Sequence, residues 1–284
     1  MKTRLDKLLV ERGITPSRER AQALILAGKI LVDEQKIEKA GASVDSQSIV
    51  RLLGEDLRYA SRGGLKLEKA LIHWHINLDN KVCLDVGAST GGFSDCMLQN
   101  GAAKVIAVDT GYGQMDFRLR NDPRMHLREK TNARYLHADD IGEPVDFIAM
   151  DVSFISATQV LPAVIQAAWC APTAQFTGHP ERSEGPTSSG EQQVLGFAQE
   201  DKVTESGREI VVLVKPQFEA GREAVGKGGI VRDEATQRAA VVKVETALKD
   251  LGCVCTEWIE SPILGGEGNR EFLLHAKFAA PSLE

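Results

Sequence analysis

Four apolar runs set the strongest limit on what this chain can become. "KVCLDVG", "KVIAVDTG", "VDFIAMDVS" and "EIVVLVKP" each carry a charged residue at or near their end, namely Asp85, Asp109, Asp151 and Lys215. Runs this apolar and this short read as strands buried on both faces, and the stretches between them are long enough for helical crossovers. "EFLLHAKF" supplies a late strand, and "DEATQRAAVVKVETALKDLG" a long amphipathic helix with Gly252 as its stop signal. The pattern predicts an α/β, Rossmann-like, doubly wound domain over 81–280. Its ligands should lie at the carboxyl ends of the strands, where those charges sit.

The chain before Lys81 differs. "RLDKLLVERGI" places Leu5, Leu8 and Leu9 on one helical face, and "SRERAQALILAGKILV" repeats the pattern with Ser17 as N-cap and Gly28 as C-cap. The β-prone runs "KILVDEQ" and "SIVRLLG" come next, so residues 1–60 read as a small α+β module whose ordered part ends near Asp56. Arg4, Lys7, Arg18, Arg20 and Lys29 lie on or beside its two helices, where one basic face could meet phosphates or simply be solvated. Residues 61–80 are expected as a linker and a leading helix. Residues 171–207, rich in Gly, Ser, Pro, Glu and Gln without sustained periodicity, are expected as a disordered insertion, either a regulatory loop or solvated filler.

Composition narrows the classes of partner. With 34 Lys and Arg against 40 Asp and Glu, the net charge of -6 gives no whole-chain reason to expect nucleic acid, so any basic site must be local. The first residues break a short apolar group with charges, unlike a signal peptide, and no run reaches membrane-spanning length. The five cysteines include no CxxC pair, which argues against a disulfide framework and against a zinc site. The expectation is a cytoplasmic protein with no metal and no membrane contact.

"LDVGASTGGFSD" continues directly from the first strand of the α/β domain. Gly87, Gly91 and Gly92 let the backbone turn and approach a ligand at the start of the next helix, with Ser89 and Phe93 in the same turn. The G-x-x-x-G-G spacing departs from the G-x-G-x-x-G of dinucleotide binders. Asp85 could meet a cationic amino-acid moiety, and Asp109 the two hydroxyls of a ribose. Together they suit S-adenosylmethionine better than NAD; a purely structural turn is the bland alternative.

These segments resemble a known family. The first module looks like an S4 RNA-binding domain, and the rest is similar to the FtsJ/RrmJ-type ribose methyltransferases. In this order the pair resembles the hemolysin A, or TlyA, family of rRNA 2'-O-methyltransferases. "SRGGLKL", "LDVGASTGGF", "VDTGYGQ", "MDVSFIS", "LVKPQFEAGREAVGKGGIV" and "GNREFLLH" carry the likeness. The resemblance implies a catalytic tetrad of Lys66, Asp151, Lys215 and Glu271, with S-adenosyl-L-methionine as cofactor. It adds Asn132 to the cofactor residues and implies ribosomal RNA or ribosomal subunits as partner, the target a cytidine in the small subunit, the large one or both.

A ribose 2'-hydroxyl attacks a sulfonium methyl group in line, so positioning is the main task. An amine must be neutral to accept the proton. Lys215 is assigned as base or proton-directing group, Asp151 as its orienter, and Lys66 and Glu271 as the network around the ribose. The helix carrying Lys66 must then fold back across the crevice. Taken singly, Lys66 and Glu271 read equally as solvent-exposed charges and Asp151 as a helix cap beside Ser153. Arg62, Arg222 and Lys227 join the candidate RNA contacts, the last two with Arg232 in a mobile glycine-rich loop or an ordinary flexible turn. A nucleotide-dependent oxidoreductase, a non-catalytic S4-type binder and a membrane-lytic protein are the competing classes. The missing dinucleotide motif, the intact tetrad and the lack of apolar spans oppose them respectively.

Overall fold

The fold is that of a computed structural model, which describes residues 2–15, 17–53, 58–169 and 207–279. Apart from Gly207, the expected insertion lies outside the described residues. The chain divides into two units, Met1–Arg58 and Tyr59–Glu284.

The first unit opens with β1 (Lys2–Arg4), α1 (Leu5–Glu11) and α2 (Arg18–Leu26), then β2 (Ile30–Val32), β3 (Gln35–Lys36), β4 (Ser43–Asp45) and β5 (Val50–Leu52). Leu5, Leu8 and Leu9 pack with Leu24, Ile25, Ile30 and Val44 into its core, the face that the leucine spacing predicts. Ser17 caps α2 by accepting the Arg20 N–H at 3.2 Å. The cap at the other end is Ala27, one residue before the expected Gly28. Gly28 comes next at φ +64, and the N–H groups of Gly28 and Lys29 return to the carbonyls of Ile25 and Leu24. That is the double closure of a Schellman turn, which needs a left-handed residue just past the cap. Strands β1 and β4 were not expected. They pair only with each other, Lys2 opposite Asp45 to Arg4 opposite Ser43, and carry too few apolar residues to announce themselves.

The second unit begins with α3 (Gly63–His73), β6 (Val82–Val86), α4 (Gly92–Gln99), β7 (Lys104–Val108), α5 (Phe117–Arg120), β8 (Met125–Arg128), α6 (Ala138–Ile141), β9 (Phe147–Met150) and α7 (Leu161–Trp169). It continues with β10 (Arg208–Val214), α8 (Pro216–Glu219), α9 (Glu234–Asp250), β11 (Cys253–Glu260) and β12 (Phe272–Phe278). Seven strands form one sheet in the order β11-β12-β10-β9-β6-β7-β8, parallel from β10 to β8. The α/β expectation is met. Two buried clusters lie on its faces, one including Leu84, Ile148, Val212 and Val244, the other Leu67, Leu71, Phe147 and Leu213. Helix α3, in the place of the expected leading helix, contributes Leu67, Ala70 and Leu71 to the second cluster, so it is a layer of this unit.

Two features of the sheet position the site. Strand order reverses between β6 and β9, which opens a crevice at their carboxyl ends. Strand β12 runs antiparallel to β10 with Phe272 opposite Val214, so the start of β12 reaches the same edge as the end of β10. Glu271 is thereby brought level with Lys215, although their positions in the chain give no hint of it.

Candidate active site

Asp151 lies just past β9 and donates its backbone N–H to the Val86 carbonyl at 2.8 Å, which seats it beside the turn after β6. Lys215 ends the apolar run of β10. Its Nζ makes an ion pair with Asp151 Oδ1 at 2.6 Å, without hydrogen-bond geometry, and donates to Ser153 Oγ at 2.7 Å. Across the crevice, Lys66 on α3 is buried, and its Nζ lies 2.5 Å from Glu271 Oε2. The proposed tetrad residues therefore form two charge-compensated pairs, Lys215 with Asp151 and Lys66 with Glu271. The fold-back expected of the helix before the pocket is how α3 delivers Lys66. Ser153 is a partner the sequence reading left out, although "MDVSF" contains it.

Two cavities meet beside these pairs. One, of about 320 Å³, is lined by Asp109, Gln114, Thr131, Asn132 and the apolar Val108, Ala133, Val152 and Ile155. The other, of about 400 Å³, is lined by Ser61, Arg62, Lys66, Thr90, Gly92, Phe93 and Leu264. Gly87, Ser89 and Asp151 belong to both walls. Asp109 accepts the N–H groups of Ser89 at 2.7 Å and Gly111 at 2.6 Å, which fixes its carboxylate at the floor of the first cavity. At the rim of that cavity, Phe154 is 90% exposed at φ +64 and touches Phe218 at a ring separation of 5.3 Å.

Asp85 departs from expectation: it lines neither cavity. Its side chain is fully buried beneath the turn, where Oδ2 accepts the Ser94 hydroxyl at 2.5 Å and Oδ1 has no hydrogen-bond partner among the described residues. Burial pushes its pKa up to about 7, against the opposing Ser94 hydrogen bond. Folding thus favours the protonated acid, a stabilisation present at low pH and lost as pH rises toward and through about 7. We expect Asp85→Asn to melt above the wild type at pH 8 and to lose that advantage at pH 5. Parallel pH dependences of the two melting temperatures would contradict this.

Gly87 and Gly91 turn the chain at φ +86 and +92, and Gly87 and Gly92 line a cavity. A Cβ at Gly92 would fall 2.2 Å from Ser61 Oγ, and one at Gly91 2.4 Å from Leu119 Cδ1, so both glycines admit the chain's own neighbours. The glycine-rich loop is held by Asn269 at two of its residues, Gly229 and Val231. Asn269, almost fully buried, accepts the Val231 N–H at 2.9 Å and donates to the Gly229 carbonyl at 2.8 Å. Lys227 and Arg232 are exposed on that loop, and Arg222 opens a short 3-10 turn, Arg222–Ala224.

In the first unit two of the candidate basic residues, Arg4 and Arg18, are organised around a buried acid. Asp6 receives Arg4 Nε at 3.0 Å, Arg18 at 3.1 Å and Gln22 Nε2 at 2.8 Å. The Arg4 guanidinium holds the Asp6 carboxyl well below the usual carboxylate range. Lys7 pairs with Glu11 at 3.4 Å, Lys29 is exposed and Arg20 half-buried. Asp6 was missed because it reads as an ordinary helix-start acid. Replacing Asp6 by Asn makes the unit more positive, yet if Arg4 and Arg18 are the RNA contacts the sequence leads one to expect, binding should weaken, because both lose the anchor that orients them. Filter binding at fixed salt checks this, and tighter binding would mean that bulk charge alone governs.

Known proteins resemble this chain over most of its length. The FtsJ-like methyltransferase family matches residues 59–278 and the S4 domain residues 3–50. The 16S/23S rRNA (cytidine-2'-O)-methyltransferase TlyA of Mycobacterium tuberculosis is 37% identical over 274 residues, 96% of this chain and 89% of that protein. The chain belongs to the TlyA family. Hemolysin A of Brachyspira hyodysenteriae, 35% identical over 273 residues, covers 96% of this chain and 98% of its own. A solved structure from Streptococcus thermophilus, 37% identical, superposes with a TM-score of 0.65 over 98% of this chain and 89% of that one. Family membership accounts for the order of the two units, an S4 domain ahead of an FtsJ-like methyltransferase domain. Among the described residues, no helix is long and apolar enough to cross a membrane, and no cluster of His, Cys, Asp and Glu could hold a metal ion.

Proposed function

We propose that the protein transfers the methyl group of S-adenosylmethionine to a ribose 2'-hydroxyl of ribosomal RNA, a cytidine as in the name of its mycobacterial relative, in the cytoplasm. The observation that carries this reading is the meeting of two cavities at Gly87, Ser89 and Asp151, with Lys215 held on Asp151 at the junction. The first cavity fits the cofactor. Each Asp109 oxygen takes one backbone N–H and retains a further lone pair for a ribose hydroxyl, and Val108, Ala133, Val152 and Ile155 suit a flat base. Ser89, Gly87 and Asn132 complete its wall. When bound, the cofactor supplies a methyl group on positively charged sulfur.

The chain's own residues then have separable tasks. Lys215 in its neutral form takes the proton of the target hydroxyl, or as an ammonium orients that hydroxyl so that Asp151 takes the proton; Asp151 and Ser153 hold its amine in either case. Lys66, fixed by Glu271, lines the second cavity and donates to the ribose, and Arg62 beside it meets a flanking phosphate. Arg4, Lys7, Arg18, Arg20 and Lys29 of the S4 domain supply contacts to the RNA backbone, and Arg222 and Lys227 add others. The test is methylation of purified ribosomal subunits and naked rRNA with labelled S-adenosylmethionine, and then mapping of 2'-O-methyl positions. A discrete modified cytidine is expected. Absence of transfer to every one of these substrates would overturn the proposal.

A further inference from the structure

Beyond the tetrad, a buried carboxylate ties together the two loops that carry Lys215 and Asp151. Glu219 ends α8, the single turn that starts directly after Lys215, and is 7% exposed. Its Oε1 accepts the Ala157 N–H at 2.6 Å, and its Oε2 accepts the Ser156 hydroxyl. Ser156 and Ala157 close the loop that begins at Asp151 and open the 3-10 turn Ala157–Gln159, whose own N-cap side chain makes no capping bond. Glu219 therefore caps that turn from a distant part of the chain. Lys243 on α9 completes the cluster, with Nζ 3.2 Å from Glu219 Oε2 and donating to the Glu219 carbonyl at 2.9 Å.

The cost of burying a carboxylate here is high, and a loop tie alone could be made with apolar contacts. The carboxylate adds direction. It grips one backbone N–H and one hydroxyl on the Asp151 loop, while its own backbone lies a single helical turn past Lys215. We infer that Glu219 is a positioning residue for methyl transfer, setting the register between the two loops and hence the seat of the Lys215 amine on Asp151 and Ser153. Displacement of reacting groups by about 1 Å costs on the order of 100-fold in rate, so such a clamp acts on turnover far more than on binding. The inference rests on the proposed methyl transfer for its kinetic half only.

The experiment compares Glu219→Ala, Glu219→Gln and Ser156→Ala in the full chain. Glu219→Ala is expected to lower kcat about tenfold or more while leaving S-adenosylmethionine affinity within about twofold. Glu219→Gln should restore most of the rate, since its amide can still accept from Ala157 and donate to Ser156. Ser156→Ala, which keeps the Ala157 bond, should fall between them. A second readout needs no methyl transfer: brief acetylation of lysines read by mass spectrometry. Lys215 labelling should rise about threefold in Glu219→Ala, because its amine leaves its partners more often. Lys66, held by Glu271 across the crevice, should keep its wild-type labelling. Unchanged Lys215 labelling in every variant would overturn the inference, as would equal gains at Lys66 and Lys215, which would indicate general loosening. If the wild type methylates no RNA, the function fails while labelling still decides the clamp; if Glu219→Ala does not fold, Glu219→Gln and Ser156→Ala decide it.

Discussion

Lys215→Met should abolish methyl transfer, lowering kcat by about 1,000-fold, within the range that a positioned general base supplies. The methionine fills nearly the same space and leaves Asp151 without its cation. Affinity for S-adenosylmethionine should change by about twofold or less, because the cavity that fits the cofactor is walled without Lys215, and Asp109 follows a different strand, β7. Lys215→Arg separates proton transfer from charge. A guanidinium can still pair with Asp151 but does not give up a proton at working pH. If the arginine variant loses as much as the methionine variant, proton acceptance is the role of Lys215. If it retains most of the rate, the cation orients the hydroxyl and another group removes the proton. Full activity in both would remove Lys215 from the chemistry.

Sequence patterning reached this site unevenly, for physical reasons. Asp151 and Lys215 were legible because parallel strands bury their apolar runs and present the next residues of the chain at one edge of the sheet. Lys66 and Glu271 were placed only by resemblance. A lysine on an amphipathic helix and a glutamate before a strand have no distinguishing pattern, and the antiparallel β12 that brings Glu271 to that edge cannot be told from a parallel strand by composition. Strand β11, "CVCTEWIE", was missed because it lies at the sheet edge and is only partly buried. Asn269 and Glu219 were missed for a different reason. Buried polar ties depend on which loops meet in space, and one sequence does not carry that. The glycine turn was found, but not that its glycines also admit close neighbours within the chain, because that depends on which segments meet in space.

Gly87 gives that last point a measurable form. It sits at φ +86, and a Cβ added there would lie 2.4 Å from the backbone carbonyl oxygen of Asp151, which has no side-chain freedom with which to retreat. An alanine therefore incurs about 1–2 kcal/mol for the left-handed backbone and about 1–3 kcal/mol for the clash. A loss of about 2–5 kcal/mol corresponds to a fall in the melting temperature of the methyltransferase domain of roughly 4–20 °C. Gly113→Ala is the matched control: its φ is +72, but nothing lies within 4 Å of the added Cβ, so only the backbone cost applies. Because Gly87 borders both cavities and the clash falls on Asp151, the Gly87 variant should also bind S-adenosylmethionine more weakly and lose methylation, while the Gly113 variant keeps most of both. Melting curves with calorimetric titration of the cofactor decide the matter. Equal melting temperatures for the two variants would mean that the edge between β6 and β9 yields to the extra methyl, and that the glycine is there for the ligand after all.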